Sequence, residues 1–301
     1  MTKGANSGKL KYHLMMIFLV LVWGLELSVA KDALDHVDTF LILNCKYLLG
    51  ALLIAIVTAK TTGIRLPKLK DVPLLIASTL VGHILYFWCE YSALATVPVA
   101  NITIVLGFLP IASILIEKVL FHRKTSVKLI LFMVCLIVGI FLVIGSDFSS
   151  LRGGFAYGYL FCVGAMLCWL AFLFLTEAAT NKYGAIQIAL YQTILAWIIT
   201  TPIAFPHFSD IPNLPPLIIF ELLYLGLISE GLCFLIEVHG LEKLGPTVSA
   251  VYTNFLPVTS AFFGYLLLHQ NLVLLQCVGG VVVILSGYLV IREKDRIDRL
   301  S

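Results

Sequence analysis

The sequence predicts an all-α membrane protein with ten transmembrane helices arranged as two inverted five-helix repeats. Three observations predict this fold class: the composition, the spacing of apolar runs, and a match between the two halves. The chain has 301 residues, of which only 12% are charged, against about 25% in a soluble domain. Its mean hydropathy is +1.01. Soluble, disordered and collagen-like classes are excluded, because this surplus of apolar residues must face lipid.

Ten apolar runs are separated by short polar breaks, and each run is long enough to cross a bilayer. The breaks at 60–70 and 206–216 contain glycine and proline, which is typical of loops. The predicted helices are 12–30, 38–58, 72–93, 97–118, 126–145, 155–176, 185–205, 216–238, 246–268 and 272–291.

These runs divide the chain into two helical repeats flanked by two tails. The basic start and Ser28-Val29-Ala30 also resemble a cleaved signal peptide. We expect the first helix to be retained, because its removal would leave nine helices and spoil the repeat. The predicted units are an N-terminal tail (1–11), a first repeat (12–145), a second repeat (155–291) and a C-terminal tail (292–301).

Lysine and arginine predict the orientation, because both are retained on the cytoplasmic side of a membrane. With the N-terminus inside, seventeen of the 20 basic residues fall in cytoplasmic segments, and only Lys31 and Arg152 fall outside. We therefore predict a multi-pass protein of the cell (inner or plasma) membrane with both termini in the cytoplasm. The basic segments are expected to touch anionic lipid rather than nucleic acid.

The two halves resemble each other in register. A shift of 147 residues sets Phe108-Leu109-Pro110 on Phe255-Leu256-Pro257 and Glu90 on Glu237, and a shift of 146 sets Trp23 on Trp169. Each half has an odd number of helices, so the second half must enter the membrane in the opposite orientation. Inverted repeats of this kind are typical of secondary transporters, which bind substrate between the halves near the midplane.

The chain resembles the EamA type of the drug/metabolite transporter superfamily. The resemblance rests on Val22-Trp23-Gly24, Lys31, the stretch Lys46-Tyr47-Leu48-Leu49 and the two Phe-Leu-Pro segments, and it extends from about 12 to 291. It implies a proton-coupled or uncoupled exporter of small metabolites or drugs. The chain departs from the family pattern at His122 and His269, where Glu is frequent, at Glu26, close to the usual Asn, and in the 46–49 stretch, where the family usually has an arginine.

Three ionisable residues lie at similar depth in the first three predicted helices. They are Glu26, Lys46 and Glu90. A charged side chain in hydrocarbon costs roughly 2.5–3.5 kcal/mol, so it needs a partner, a water-filled cavity or a function. We expect the three to meet, either as an ion-paired cluster that holds the helices together or as a substrate or proton site.

The third and eighth predicted helices carry candidate proton-coupling residues. His83, Phe87 and Glu90 share one helix face, and Glu230, Phe234 and Glu237 repeat that spacing. We predict Glu230 as the main coupling group, with Glu237 and His83 assisting, because buried carboxyls are suited to proton exchange. The alternative is that Glu230 is a packed, permanently protonated acid.

Uncharged groups at helix depth complete the candidate substrate site. Ring faces of Trp and Tyr bind cations, and side-chain amides bind polar groups, but both also serve merely to pack or bond neighbouring helices. The prolines at 110 and 257 are predicted as hinges, with static kinks as the alternative. Beyond Glu26, Lys46 and Glu90, the predicted substrate-binding residues are Trp23, Tyr86, Asn101, Trp169, Tyr191, Gln192, Tyr252 and Asn254.

The sequence motifs do not support an enzymatic function. The sequence contains no metalloprotease, P-loop, nucleophile-elbow or dinucleotide-binding pattern. The seven cysteines lie in apolar runs without a C-x-x-C pair, so we expect buried hydrophobes rather than metal ligands. We therefore expect no enzyme, no cofactor and no metal.

The residues at depth predict the substrate class. Carboxyls outnumber the single lysine and aromatic residues accompany them, which favours a small cationic or zwitterionic substrate such as an amino acid, amine or quaternary ammonium compound. We predict a secondary transporter that exports this substrate by alternating access in exchange for protons and that works as a monomer or homodimer. The alternatives are an importer or facilitator of a neutral or anionic metabolite, such as a nucleoside or sugar derivative, and a non-transporting membrane scaffold or sensor.

Overall fold

A computed structural model describes residues 3–97, 102, 105–144, 157–268 and 273–298. Within these ranges every regular element is helical. Seven of the helices are long and apolar enough to cross a membrane. The prediction of an all-α membrane protein is confirmed. The helices are α1 (Lys3–Leu34), α2 (Thr39–Thr61), α3 (Leu69–Leu94), α4 (Leu109–Val119), α5 (Val127–Ile144), α6 (Tyr157–Tyr183), α7 (Ala185–Ala204), α8 (Pro216–Leu244), α9a (Pro246–Thr253), α9b (Leu256–Leu268) and α10 (Leu274–Asp298).

Both ends of the chain lie at the same end of the helix bundle. Lys9 Nζ in α1 forms an ion pair of 2.8 Å with Asp295 Oδ1 in α10. An even number of crossings produces this arrangement. We call this the terminal end of the bundle and the other the opposite end.

Two helices contain π-helical stretches at matching positions of the two halves. The stretch in α3 is Leu80–Leu85 and the stretch in α8 is Tyr224–Phe234. The shift of 147 residues places the first within the second. π-Helical turns are rare and occur frequently at functional sites, and these two carry His83 and Glu230.

The fourth and ninth helices are both interrupted just before their prolines. The sequence analysis placed Pro110 and Pro257 inside continuous helices, but each is the second residue of a new helix, α4 or α9b. Turns precede them, in which Phe108 N donates to Val105 O and Phe255 N donates to Tyr252 O. Proline is favoured in the first turn of a helix, where its missing N–H leaves no hydrogen bond unmade.

Residues at repeat-equivalent positions contact each other along the centre of the molecule. The rings of Trp23 and Trp169 lie 5.8 Å apart. Asn254 Nδ2 donates to the carbonyl oxygen of Gly107 at 2.9 Å, across a separation of 147 residues. A position on a two-fold axis touches its own equivalent, so these pairs mark a pseudo-two-fold axis between the halves.

The last helices of the two repeats, α5 and α10, pack closely against each other. A Cβ added to Gly139 would lie 2.9 Å from Val283 Cγ2, and one added to Gly279 would lie 2.5 Å from the backbone nitrogen of Val143. Small residues permit this close approach, which drives helix association where lipid is the solvent. The outer faces keep large apolar side chains exposed to lipid, among them Leu131, Val138, Ile284 and Leu285.

Candidate functional site

A buried lysine lies at the centre of the bundle between two carboxylates. Lys46 of α2 is only 1% exposed, and its Nζ donates to Glu26 Oε1 of α1 at 2.6 Å. Glu230 Oε2 of α8 lies 3.9 Å from the same nitrogen. The Phe87 ring completes the enclosure, with its centroid 3.7 Å from Nζ. The predicted contact between Glu26 and Lys46 is therefore present, and Glu230 of the second half joins them.

Two hydroxyl groups from the second half lie against the carboxylate oxygens of Glu26 and Glu230 that do not face Lys46. Ser229 donates its hydroxyl to Glu26 Oε2. The Thr193 hydroxyl of α7 donates to the Ala189 carbonyl oxygen at 2.9 Å and lies 3.4 Å from Glu230 Oε1. A buried charge is tolerated only when it is both paired and hydrogen-bonded, so Ser229 and Thr193 belong to the charged centre although the sequence analysis did not name them.

His83 stands beside Glu230, its repeat-equivalent residue. Nε2 of His83 lies 3.5 Å from Glu230 Oε1, but without hydrogen-bonding geometry, and neither ring nitrogen has a hydrogen-bond partner among the described residues. The rings of Phe234 and Phe172 pack edge-on against the imidazole, with centroids 4.7 and 5.8 Å away. This places two titratable groups, an imidazole and a carboxyl, side by side on the pseudo-two-fold axis.

A small cavity opens beside this centre, in the half of the bundle away from the terminal end. It measures about 30 Å³, room for roughly one or two water molecules. Two carboxyls, Glu26 and Glu90, face aromatic side chains across it. The lining residues are Trp23, Glu26, Leu27, Ala30, Tyr86, Phe87, Glu90, Tyr91, Trp169, Thr253 and Leu256.

Glu90 differs from Glu26 because it has no basic partner among the described residues. Its Oε1 accepts a hydrogen bond from the hydroxyl of Tyr86, one helical turn earlier, at 2.6 Å. It is nevertheless only 5% exposed. The sequence analysis expected Glu90 to join the Lys46 cluster, whereas the structure places it on the cavity wall with its hydrogen bond to Tyr86.

Aromatic rings form the rest of the cavity wall. Trp169 of α6 packs against Trp23 at 5.8 Å and against Tyr86 at 4.8 Å between ring centroids. Trp169 Nε1 and the Tyr91 hydroxyl are buried without a hydrogen-bond partner in the described part of the chain. A wall of ring faces with unsatisfied donors can hold a planar or cationic ligand that also carries an acceptor.

Four predicted site residues lie outside this cavity and bond to other parts of the protein. Tyr191 donates to the carbonyl of Arg65 at 2.8 Å. Gln192 Nε2 donates to Ser78 Oγ and to Thr176 Oγ1, both at 2.8 Å. The Tyr252 hydroxyl lies 2.8 Å from His13 Nδ1, and Asn254 donates to the Gly107 carbonyl. Asn101 lies outside the described residues. These contacts join helices to one another and do not reach the cavity.

Glu237, the repeat equivalent of Glu90, is buried in α8 on the other side of the axis. It accepts a hydrogen bond from the hydroxyl of Ser249 in α9a. No basic residue pairs with it in the described ranges, and it is 2% exposed. The two halves thus bury equivalent carboxyls in the same manner, each with a hydroxyl partner.

The terminal end of the bundle is closed by a network of charges, which we call the latch. Its members are Glu117, Arg123, Glu177, Thr247 and Lys294. Glu117 Oε2 accepts from Lys294 Nζ at 2.7 Å, and its Oε1 accepts from Thr247 Oγ1 at 2.8 Å and from Arg123 at 3.2 Å. Arg123 also reaches Glu177 Oε1 at 3.3 Å. The latch ties α4, α6, α9a and α10 together.

Glu117 lies one residue before the end of the predicted fourth helix (97–118), a position that predicts the membrane interface, and Lys294 lies in the predicted C-terminal tail. The structure buries both, at 3% and 4% exposure. The signal available in the sequence was the lack of a repeat partner, because the shift of 147 sets Glu117 on Gly264 and Lys294 on Asp147. The Glu117–Lys294 pair is therefore not repeated in the other half of the chain.

Comparisons with known proteins agree with this architecture. The model of the EamA-like transporter family matches residues 10–145 and 156–292. The chain is 21% identical to the uncharacterized transporter YoaV of Bacillus subtilis over 91% of this chain and 94% of YoaV. It is 22% identical to an uncharacterized transporter of Archaeoglobus fulgidus over 93% of this chain and 96% of that protein.

A solved crystal structure shares the fold. Its chain superposes with a TM-score of 0.71 at 15% identity, over 93% of this chain and 97% of its own. The family model covers both halves, and the relatives matched over nearly their whole length are named as transporters. This protein therefore belongs to the EamA-like transporter family, within the drug/metabolite transporter superfamily, and is a multi-pass membrane transporter.

Proposed function

We propose that the protein is a secondary transporter that exports a small cationic or zwitterionic amphipathic metabolite or drug in exchange for protons. Amino acids, amines and quaternary ammonium compounds form the substrate class. The observation that carries this proposal is the cavity in which Glu90, without a basic partner among the described residues, faces the rings of Trp23, Tyr86 and Trp169. A carboxyl opposite ring faces is the arrangement that recognises an organic ammonium group.

The binding step follows from the chemistry of the cavity wall. A cation that enters replaces water around Glu90 and Glu26 and lies against the ring faces, where each desolvated cation–π contact contributes about 2 kcal/mol. The cavity of about 30 Å³ is too small for such a ligand as it stands, so the helices around it must separate before substrate enters. Alternating access supplies that separation, with the breaks at Pro110 and Pro257 as hinges.

Lys46 and the carboxylates around it support proton coupling. The ammonium donates to Glu26 at 2.6 Å and lies 3.9 Å from Glu230. When Glu230 is protonated, the Lys46 ammonium pairs with Glu26 only. When Glu230 is deprotonated, it attracts the ammonium and weakens the ion pair between Lys46 and Glu26. His83, 3.5 Å from Glu230, supplies a second place for the proton, and Glu237 supplies a further buried carboxyl. Movement of one buried cation between two carboxylates thus links protonation to the cavity.

The charge distribution supports an orientation with both termini in the cytoplasm of an inner or plasma membrane. Seventeen of the 20 basic residues lie on that side in the ten-helix topology. The cavity then lies in the outer half of the membrane and the latch closes the cytoplasmic end. A protein that carries substrate outward against its gradient gains from proton entry through the same centre.

The substrate class is tested by binding to protein in nanodiscs. Amino acids, polyamines and tetraalkylammonium salts are screened by thermal shift, followed by calorimetry on any hit. We expect Glu90→Gln to weaken binding of the cationic hit at least tenfold, since an ion pair is replaced by a neutral contact. Glu221→Gln removes a carboxyl on α8 away from the cavity and serves as the control with unchanged affinity. Equal affinity of both variants for the cation contradicts the proposal.

Proton coupling is tested in proteoliposomes with an imposed pH gradient. Glu230→Gln is expected to abolish the stimulation of transport by the gradient while exchange of labelled for unlabelled substrate continues. Full gradient-driven transport by this variant removes Glu230 from the coupling step. A screen in which no organic cation or zwitterion shifts the melting temperature contradicts the proposed substrate class.

Import of a neutral or anionic metabolite has less support from the geometry. That alternative requires Lys46 to bind substrate. Lys46 does not line the cavity, and Glu26 together with the Phe87 ring encloses its ammonium group. An anion would first have to displace Glu26.

A further inference from the structure

We infer that the protein holds a second substrate subsite, closed in this structure, around Glu237 and Cys233. The inference rests on the proposed function for the class of ligand, a small organic cation. It concerns the other side of the pseudo-two-fold axis, toward the terminal end of the bundle. We call it the closed subsite, and the cavity beside Glu90 the open cavity.

The repeat register defines the residues of the closed subsite. Trp23 and Trp169 exchange places across the axis and belong to both sides, and their contact at 5.8 Å fixes the register in space. Every other lining residue of the open cavity has an equivalent in the described part of the opposite half. With shifts of 146 for α1 and 147 elsewhere, Glu26, Leu27, Ala30, Tyr86, Phe87, Glu90, Tyr91, Thr253 and Leu256 correspond to Phe172, Leu173, Thr176, Cys233, Phe234, Glu237, Val238, Leu106 and Leu109.

Two of these equivalents, Phe172 and Phe234, already lie together beside Trp169. The Phe172 ring packs against Trp169 at 4.8 Å and against Phe234 at 6.0 Å between centroids. Cys233 and Glu237 are separated by one turn of α8, as Tyr86 and Glu90 are in α3. Cys233 has no exposed surface and Glu237 has 2%. The wall of a cavity is therefore present on this side, but the space is closed.

Two sets of contacts close it. Ser249 of α9a donates its hydroxyl to Glu237, so the carboxyl is occupied from within. Beyond Ser249, the latch joins Thr247 to Glu117 and Glu117 to Lys294. The latch has no repeat equivalent, because the residues that correspond to Glu117 and Thr247 are Gly264 and Ala100. The latch thus stabilises the state in which only the opposite side is open.

The closed subsite contains one carboxyl fewer than the open cavity and fewer phenol groups. Phe172 stands where Glu26 stands on the other side, and Cys233 replaces Tyr86, so Glu237 is the single acidic group. An organic cation is recognised there by Glu237 and the faces of Phe172 and Trp169. Exchange of the two repeats' conformations, which inverted repeats permit, opens this subsite as the cavity beside Glu90 closes.

Cys233 makes the inference testable without any substrate. In a variant that retains only this cysteine, with the other six replaced by alanine, the rate of labelling by a trimethylammonium-bearing methanethiosulfonate in nanodiscs measures access to the subsite. A second protein, without native cysteines and with Tyr86→Cys, reports on the open cavity. We expect slower labelling at Cys233 than at position 86, because Cys233 has no exposed surface whereas position 86 lines an existing cavity that loss of the tyrosine ring enlarges.

Breaking the latch is expected to reverse this order. The charge-balanced double variant Glu117→Gln/Lys294→Met should raise the labelling rate of Cys233 at least tenfold and lower that of the Tyr86→Cys protein. Arg123→Gln, which removes a half-exposed member of the latch, should shift both rates in the same directions by a smaller factor and is used if the double variant does not fold. Unchanged rates in a folded latch variant, or a rise at both positions, overturn the inference.

The charge of the subsite is read from two reagents of opposite sign. In the latch-broken protein, the ratio of labelling rates at Cys233 for the trimethylammonium reagent and a sulfonate-bearing reagent should fall about tenfold on Glu237→Gln, because a charge one helical turn away is lost. Glu90→Gln should leave this ratio unchanged at Cys233. An unchanged ratio in Glu237→Gln removes Glu237 from the subsite. Failure of cation transport alone leaves these outcomes intact, so the two proposals fail separately.

Discussion

The two sides of the pseudo-two-fold axis share a backbone but differ in chemistry. On one side the hydroxyl of Ser229 bonds to Glu26. The equivalent pair on the other side is Gly82 and Phe172, where the bare glycine backbone lies against the phenyl ring. Lys46 likewise corresponds to Thr193. One side is charged and hydrogen-bonded, and the other is aromatic and closely packed.

The contrast shows where a buried charged side chain can find its ion-pair partner. A charged group on one side of a repeated scaffold finds no equivalent partner on the other side, so it must pair locally or with a residue on the axis. Lys46 does both, because it bonds Glu26 beside it and approaches Glu230 on the axis. The aromatic side is stabilised by close packing, because its side chains carry few polar atoms.

The largest effect is expected from Lys46→Met. It leaves Glu26 buried without a cation, which costs about 3–5 kcal/mol of unfolding free energy. The double variant Lys46→Met/Glu26→Gln should recover much of this loss, because it removes the orphaned charge. Thr193→Val at the equivalent position should cost only about 1 kcal/mol. Unfolding equilibria in mixed micelles compare the three, and equal losses at 46 and 193 contradict the contrast.

Ser229→Ala should be the next most damaging change. A hydrogen bond to a buried charged group contributes about 1.5–3 kcal/mol, and Ser229 donates directly to Glu26. The matched control is Ser113→Ala, which removes a buried contact between the neutral hydroxyls of Ser113 and Thr247, 3.1 Å apart. The same unfolding measurement should give the control a loss near 1 kcal/mol or below. A larger loss for the control indicates that Glu26 is satisfied without Ser229.

Gly82→Ser installs the hydroxyl of the charged side on the aromatic side. An added Cβ would lie 2.6 Å from Phe172 Cγ, and overpacking of this kind costs about 1–3 kcal/mol. Gly280→Ser, where the nearest atom would be 3.6 Å away, is the control. A second substitution, Phe172→Leu, should restore part of the stability of Gly82→Ser in thermal unfolding. No rescue by Phe172→Leu means that the strain lies elsewhere.

Asn254→Ala should have the smallest effect. It removes the hydrogen bond to the Gly107 carbonyl, and interhelical bonds in membrane proteins contribute about 0.6 kcal/mol on average. Asn44→Ala serves as the positive comparison, because the Asn44 amide reaches Trp197, Thr200 and Thr201 of α7. A loss for Asn254→Ala above that of Asn44→Ala indicates that the contact on the axis holds the halves together more firmly than an ordinary interhelical bond.

The alignment of the two halves identified residue pairs that the structure places in contact. Pairing Trp23 with Trp169 and His83 with Glu230 came from residue spacing, and both pairs are in contact. The register works because a two-fold axis must pass through some equivalent positions. The breaks before Pro110 and Pro257 were not predicted, because a two-residue turn does not change the hydropathy of an apolar run.

The candidate site was less predictable than the fold. Tyr191 and Gln192 are polar groups at helix depth, as Glu90 is, yet they bond to Arg65 and Ser78 between helices. Each is a polar side chain within an apolar helix, and the rotation of the helix decides whether it meets a cavity or a neighbouring helix. Glu117 shows the reverse, because its position near a helix end suggested lipid headgroups whereas packing against Lys294 buries it.

Hydropathy and periodicity are sufficient to predict a membrane-spanning helical protein with duplicated halves, because both are properties of single segments and the solvent they require. Which of the buried charges are satisfied and which are available depends on the packing of helices against one another. Lys46 is held by Glu26, whereas Glu90 and Glu237 have hydroxyl partners alone in the described chain. That outcome depends on distances of a few ångströms between different helices, over which the energy of a buried charge changes by several kcal/mol.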